Sequence, residues 1–215
     1  MAPQKTATRL EEAFRSPRLL YRALENNDED RAFFDTELQK DPVAFALSDG
    51  NLFRPQRKDM SDSQFLGLLE SPLAVVICLQ QPEREPESSD QPAPKPTPIG
   101  ILSLYAPDCR GAHYFHHHRN MTLSINIAKQ FQNNGYGAEA INWALDWAFR
   151  YANIHTVTLK AVEYNERAQH LYKKLGFVLE GRQREHDFHD RKWWDLFLYS
   201  MTENEWEALR GIQSA

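Results

Sequence analysis

The chain has 215 residues, with 25 basic against 30 acidic side chains and a formal net charge of −5 at pH 7. That length suits one well-buried α/β domain rather than two, and the charge offers no general attraction to nucleic acid or an anionic membrane, so a cationic substrate is the better match. The two cysteines, Cys78 in an apolar run and Cys109 in a loop, argue against a disulfide framework and carry no metal spacing, while no apolar run reaches the roughly 18–20 residues of a membrane span.

Residues 1–17 read as an N-terminal extension. Met1 to Arg15 lacks the apolar stretch of a signal peptide, and Glu11 and Glu12 among Lys5, Arg9 and Arg15 make it too acidic for a transit peptide. The expected compartment is the cytoplasm, with the nucleus left open. A first strand is predicted over 18–23. Asn27 then caps a helix to about Leu38, with Phe33, Phe34 and Leu38 inward and Asp28, Glu29 and Asp30 at its positive end. Asp41-Pro42 breaks it, and 43–51 is left unassigned. Ser61 is expected to open a further helix over 62–70 with Phe65, Leu66 and Leu69 as its core stripe. The run 72–80 is too short and too β-branched for a helix and reads as a strand.

Residues 81–98, QPEREPESSDQPAPKPTP, hold six prolines and almost no apolar side chains. Such a segment cannot bury enough surface to offset its ordering entropy, so it is expected to be a flexible hairpin loop, the alternative being an extended partner-binding segment. The sheet resumes at 99–105. In His113-Tyr114-Phe115-His116-His117-His118-Arg119, adjacent histidines of a strand point to opposite faces with no acid or cysteine at ligand spacing, so no metal is assigned.

From Met121 to Ile127, Leu123, Ile125 and Ile127 alternate with Thr122, Ser124 and Asn126, the period of a half-buried strand. Gln132-Asn133-Asn134-Gly135-Tyr136-Gly137-Ala138 follows, and from Ala138 the apolar residues recur at helical spacing to Phe149. Glycines between strand and helix let successive N–H groups converge at the positive end of the helix, an anion site suited to a pyrophosphate. The spacing is neither the dinucleotide G-x-G-x-x-G nor a P-loop, so taken alone a plain strand-capping turn explains it equally well, and a dinucleotide enzyme is set aside. A strand over 155–162 leads into Asn165-Glu166-Arg167-Ala168-Gln169-His170-Leu171-Tyr172-Lys173-Lys174-Leu175-Gly176-Phe177, a short helix ending at Gly176. Strands over 177–185 and 192–201, joined across 187–191, form a final antiparallel pair. Thr202 with a nearby acid opens a last helix docked by Trp206 and Leu209, and 212–215 is a tail.

The turn 132–138 and the run 165–177 together resemble the GNAT superfamily of acyl-CoA N-acyltransferases: the first is similar to its Q/R-x-x-G-x-G/A loop, the second to its N-x-x-A-x-x-L-Y-x-K-x-G-F signature. The likeness runs from about Arg18 to Trp206. It leans toward the RimJ/RimL branch of ribosomal-protein and polyamine acetyltransferases through Pro17-Arg18-Leu19-Leu20-Tyr21-Arg22, Leu179-Glu180-Gly181-Arg182, Trp194-Asp195 and Tyr199-Ser200-Met201. The resemblance implies one α/β (α+β) domain over 18–211: a mixed, mostly antiparallel sheet whose two central parallel strands splay to admit the cofactor arm, with the helical region at 28–38 forming one wall of the substrate cleft. It further implies acetyl-CoA as co-substrate, no metal, a primary amine as acceptor, and a monomer or homodimer.

Carried over residue by residue, the resemblance assigns Ile125, Asn126 and Ile127 to the pantetheine and Gln132, Asn133, Asn134, Gly135, Tyr136, Gly137 and Ala138 to the pyrophosphate. Asn165 becomes a cofactor contact, although it is as readily the N-cap of its helix. Tyr172 becomes the general acid for the departing thiolate, a role its ordinary pKa near 10 suits. The base departs from the family pattern. The central strand has no carboxylate and Lys160 stands where one is expected, leaving Glu163, His118 and Asp195 as candidates beside a water chain. Deprotonating a lysine-like amine at pH 7 costs about 4–5 kcal/mol and an α-amine only about 1, so a missing base favours a lower-pKa amine. The rival reading is a non-catalytic GNAT-like module that binds acyl-CoA for regulation.

Overall fold

A computed structural model describes residues 10, 12–47, 53–80, 95–106 and 117–212. Within them lie the strands β1 (Leu19–Ala23), β2 (Leu73–Leu79), β3 (Thr97–Tyr105), β4 (Asn120–Ile127), β5 (Thr156–Val162), β6 (Val178–His189) and β7 (Lys192–Thr202). The helices are α1 (Asp28–Phe33), α2 (Pro42–Ala46), α3 (Lys58–Leu69), α4 (Tyr136–Arg150), α5 (Glu166–Lys174) and α6 (Glu203–Arg210). Among the described residues the strands make one seven-stranded sheet in the order β1-β2-β3-β4-β5-β7-β6. Every neighbouring pair is antiparallel except β4 and β5. That parallel pair is short: it runs from Asn120 opposite Thr156 to Thr122 opposite Thr158 and stops. Beyond Thr122 the two strands part, as the expected splayed fold requires.

Both faces of the sheet are covered, which is why β2 and β3 read as nearly continuous apolar runs rather than alternating ones. On one face Ile141, Ala144, Leu145 and Ala148 of α4 pack against Leu102, Leu104, Met121, Leu123, Val157 and Leu159. On the other, Phe34, Leu38 and Phe65 cover Val76, Cys78 and Ile101. Asn27 caps α1 as expected, its side chain accepting the Asp30 N–H at 2.8 Å. The helix then widens into a π-helical segment over Phe34–Gln39, closed by the Lys40 N–H donating to the Asp35 carbonyl at 3.2 Å. Thr202 and Glu205 form a reciprocal capping box at the start of α6, and Trp206 docks that helix by donating to Asp146 Oδ1 at 2.8 Å.

Several boundaries differ from the sequence reading. Helix α3 begins at Lys58, so Ser61 is a buried interior residue and not its cap, and Leu66 faces outward at 46% exposure while Phe65 alone of the expected stripe is fully enclosed. The segment 43–51, left unassigned, begins in α2, which Asp41 caps by accepting the Val43 N–H at 3.0 Å; 48–51 lie outside the described residues. Of the proline-rich stretch, 81–94 lie outside the described residues, and Thr97 and Pro98 already belong to β3. Cys109 and His113–His116 also lie outside them. The β6–β7 hairpin turns on Asp190 and Arg191 alone, both at positive φ (48° and 59°), the signature of a tight two-residue turn that matches strand twist. Leu209 is largely exposed, yet it lies over Gly176, where an added Cβ would sit 2.6 Å from its Cδ1. No described helix is long and apolar enough to cross a membrane, and no three potential metal ligands converge among the described residues.

Candidate active site

The site grows from the point where β4 leaves β5. A short 3₁₀ turn over Lys129–Phe131 carries the chain to Gly135, whose φ of 80° places it in the left-handed region as the N-cap of α4. No side chain caps that helix, so its leading amides are open to a ligand at the positive end of its dipole. Gln132 fixes the turn from one side: its Nε2 donates to the Ile127 carbonyl at 2.8 Å and its Oε1 accepts from Arg167 of α5 at 2.7 Å. Arg18 fixes it from the other. The guanidinium donates to the Asn134 carbonyl at 3.0 Å and to Glu139 Oε2 at 2.7 Å, and lies 4.7 Å from the centre of the Tyr136 ring. Glu139 Oε1 also accepts from Ser16 Oγ and from the Arg18 N–H. Burial works to raise the Glu139 pKa, but these hydrogen bonds outweigh it and hold the carboxyl below its ordinary range.

A cleft of about 1330 Å³ opens along this turn. Ile125, Asn126, Ile127, Gln132, Asn133, Gly135, Tyr136, Gly137, Ala138, Asn165 and Tyr172 all line it, so the structure gathers nearly every residue that the sequence assigned to cofactor or acid. Asn134 is the exception, its side chain turned back onto the Phe131 and Gln132 carbonyls. Asn165 holds both of its expected places, on the cleft wall and as the cap of α5, where its Oδ1 accepts the Ala168 N–H at 3.2 Å. Tyr172 is 9% exposed and packs against Phe177 and Tyr199 at centroid separations of 6.1 and 5.8 Å. Burial pushes its phenol up to about 12, with Tyr199 adding and Arg167 opposing.

None of the three base candidates lines the cleft. Asp195 is 5% exposed and engaged in structure: it accepts the Glu185 N–H at 2.8 Å and pairs with Arg182. Glu163 braces the same strand, its carboxylate accepting the Asp195 N–H at 3.1 Å. His118 precedes β4, at the end of that strand remote from the glycine turn, with its ring 4.6 Å from that of His117. The carboxylates that do line the cleft, among the described residues, are Asp41 and Glu70. Neither Glu70 nor the cleft-facing Gln64, Gly67 and Ser103 was singled out from sequence. The available signals were a glycine inside a helical run and a serine inside the apolar run Ile99–Tyr105.

A family model described as the acetyltransferase (GNAT) family matches residues 72–177. The spermidine N(1)-acetyltransferase of Vibrio cholerae serotype O1 is 37% identical over 79 residues, 37% of this chain and 46% of that protein. The [ribosomal protein uS5]-alanine N-acetyltransferase of Escherichia coli K12 is 29% identical over 84 residues, 39% and 43% of the two chains. The chain thus spans about half the length of these curated relatives. Among solved structures, a spermidine N-acetyltransferase from Vibrio cholerae in complex with CoA and spermine shares the fold at a TM-score of 0.63 and 21% identity, over 89% of this chain and 99% of that one.

Proposed function

The chain belongs to the GNAT family of acetyltransferases, and from that premise we propose that it is an N-acetyltransferase moving an acetyl group from acetyl-CoA to a primary amine, either a protein N-terminal α-amine or a small amine such as a polyamine. The observation that carries the reading is a single cleft combining the free edge of β4 past Thr122, the uncapped glycine-led start of α4, and the Tyr172 phenol.

The residues fit an acyl-CoA. Past Thr122 the backbone of β4 has no β5 partner, so an extended amide-bearing arm can add to it as a strand would. The amides at the head of α4 suit a pyrophosphate, and the φ of 80° at Gly135 favours glycine there, where a Cβ would also come within 3.3 Å of Arg18 Nη2. Acetyl-CoA supplies the thioester. The amine nitrogen forms the new C–N bond, the C–S bond breaks, and the sulfur leaves with the electron pair. Tyr172 stands on the cleft wall as the hydrogen-bond donor to that sulfur. With Glu163, His118 and Asp195 away from the cleft, the proton lost by the amine passes to solvent or to a group that lines the cleft.

Their absence is also what favours the rival, a module that binds acyl-CoA without turnover. The deciding experiment is thiol release from acetyl-CoA against a panel of α-amino peptides, polyamines and simple alkylamines, with mass spectrometry of the acceptor. Acetylated product is expected. Tight acetyl-CoA binding with no thiol release from any amine would establish the non-catalytic module instead.

A further inference from the structure

Ser16 and Arg18 lie just ahead of β1, far in sequence from the glycine turn, yet both meet it through Glu139. The turn 132–138 has no basic side chain of its own, and Glu139, in the first turn of α4, sets a carboxylate beside amides that suit an anion. Left unpaired, that carboxylate would oppose a pyrophosphate and compete with it for the positive end of the helix. It is paired three times over. Ser16 Oγ donates to its Oε1 at 2.7 Å, the Arg18 N–H to the same oxygen at 2.8 Å, and Arg18 Nε to Oε2 at 2.7 Å. The guanidinium then reaches past Glu139 to the turn itself. Its Nη1 donates to the Asn134 carbonyl at 3.0 Å, and its Nη2 comes to 3.3 Å from where a Cβ on Gly135 would stand. A trans peptide is planar, with its C=O and N–H on opposite sides, so drawing the Asn134 carbonyl toward Arg18 turns the Gly135 N–H away from it. Gly135 lines the cleft and Arg18 does not.

We propose that Arg18 is a positioning residue for the cofactor: it cancels the Glu139 carboxylate beside the anion site and holds the glycine turn with its amide turned to the cleft. The inference rests on the reading that this turn takes the pyrophosphate of acetyl-CoA. It also draws the stretch ahead of β1 into the cofactor machinery. That stretch is tied down along its length: the Ala13 carbonyl accepts from Trp143 Nε1 at 2.8 Å, the Phe14 carbonyl accepts the Tyr21 N–H at 2.9 Å, and Gln80 Nε2 donates to the Ser16 carbonyl. Arg18 itself is half exposed, so losing its ion pair should cost the fold little. Ser16 and the N–H of residue 18 would still hold Glu139 ionised without it, and the uncancelled charge would then face the phosphates.

Three variants of the full chain test this: Arg18→Gln, Glu139→Gln and the two combined. Coenzyme A is titrated calorimetrically at about 0.05 and 0.5 M salt, with melting temperatures and steady-state thiol release alongside. Arg18→Gln should weaken coenzyme A about tenfold at low salt and much less at high salt, with the loss falling in the acetyl-CoA KM rather than in kcat or the amine KM. Glu139→Gln, which keeps the cation and removes the carboxylate, should bind at least as tightly as wild type. The double variant should recover to within about threefold of wild type. A brace of structural value only would make Glu139→Gln as weak as Arg18→Gln and leave the double no better than either, and that result overturns the proposal. So does an Arg18→Gln variant with wild-type affinity, or one that loses its fold rather than its affinity. If the variants behave as expected but wild type releases no thiol with any amine, the enzymatic reading falls while the role of Arg18 stands. Robust turnover with a wild-type acetyl-CoA KM in all three variants means the reverse, and a wild type that does not bind coenzyme A overturns both.

Discussion

Replacing Tyr172 by Phe keeps the ring against Phe177 and Tyr199 and removes only the hydroxyl, which no described residue hydrogen-bonds. Burial has pushed that phenol up to about 12. A thiol leaving group ordinarily titrates near 8.5, so complete transfer of the phenolic proton to the sulfur is uphill by about 3.5 pKa units, or about 5 kcal/mol. On the proposed reading Tyr172 would therefore act chiefly by donating a hydrogen bond to charge developing on sulfur, and the thiolate would take its proton from solvent afterwards. A hydrogen bond to a charged partner contributes about 1.5–3 kcal/mol, so Tyr172→Phe should lower turnover about ten- to a hundred-and-fiftyfold. Acetyl-CoA affinity should change little, because the interaction strengthens only as the C–S bond breaks. The assay is thiol release with an accepted amine, with single-turnover kinetics showing that chemistry limits the rate. The pH profile adds a second check: in wild type the contribution of Tyr172 should persist through pH 10, where an unburied phenol would already be ionising. Undiminished turnover in the variant, or an alkaline loss of rate centred at 10, would refute the assignment.

Other consequences can be measured directly. Gly137→Val meets only Leu171 Cδ2, 3.8 Å from the added Cβ, so it should melt near wild type yet lose coenzyme A affinity by more than tenfold in calorimetry. Gly135→Val is a poorer probe, since a β-branched residue at φ 80° is strained and should destabilise the start of α4 as well. Gly100→Ala would place a Cβ 2.5 Å from the Asn126 carbonyl oxygen and 2.7 Å from Ile127 Cδ1, so denaturant melts should show a loss of about 1–3 kcal/mol, with weaker coenzyme A binding as β4 shifts. Burial raises the pKa of Tyr21, Tyr164, Tyr172 and Tyr199 together. The unfolded chain releases these protons from about pH 10 while the folded chain retains them, so stability is full below 10 and falls as pH rises beyond it, by about 1.4 kcal/mol per pH unit up to 12 for Tyr172 alone. Thermal melts from pH 8 to 11 should be flat and then drop; a stability that rose above pH 10 would contradict this burial.

The strands and the glycine-turn side of the cleft were legible because each follows from local pattern. Alternation in 121–127, glycines before an amphipathic run and the 165–177 signature fix a strand, a turn and two helices without tertiary information. The start of α3 was not legible, because Arg57 caps it with no side-chain hydrogen bond and Ser61, the cap expected from sequence, is drawn into the interior instead. The π-helical turn at Phe34–Gln39 leaves no mark in a hydrophobic period read over so few residues. That the base candidates lie off the cleft was hidden for a related reason. Glu163 and Asp195 are near the motif in sequence or strand order, but each carboxylate is spent on backbone amides of the β5 to β7 region, an engagement that only the paired strands reveal. Ser103 Oγ and Gln64 Oε1, enclosed with no hydrogen-bond partner among the described residues, were invisible because an unsatisfied oxygen is a property of what surrounds it.

Among the described residues the sheet ends in β6, a twelve-residue strand paired on one side only. Its register with β7 slips between Leu179 and Gly181 and again between Gln183 and Asp187, and Glu185 sits within the second slip at a φ of 52°. A long straight strand with a free edge is a template on which another chain can continue the sheet. Here two irregularities break the repeat of outward N–H and C=O groups, and Glu180, Arg182, Arg184, Glu185 and Asp187 set charges of both signs along it. An incoming strand could match only a few residues before falling out of step. The border of the sheet thereby discourages its own extension with no covering helix among the described residues, and since β6 takes four steps from Gln183 to Asp187 against two in β7, deleting Glu185 would shorten the second slip by one residue and weaken that protection before it touched the cleft.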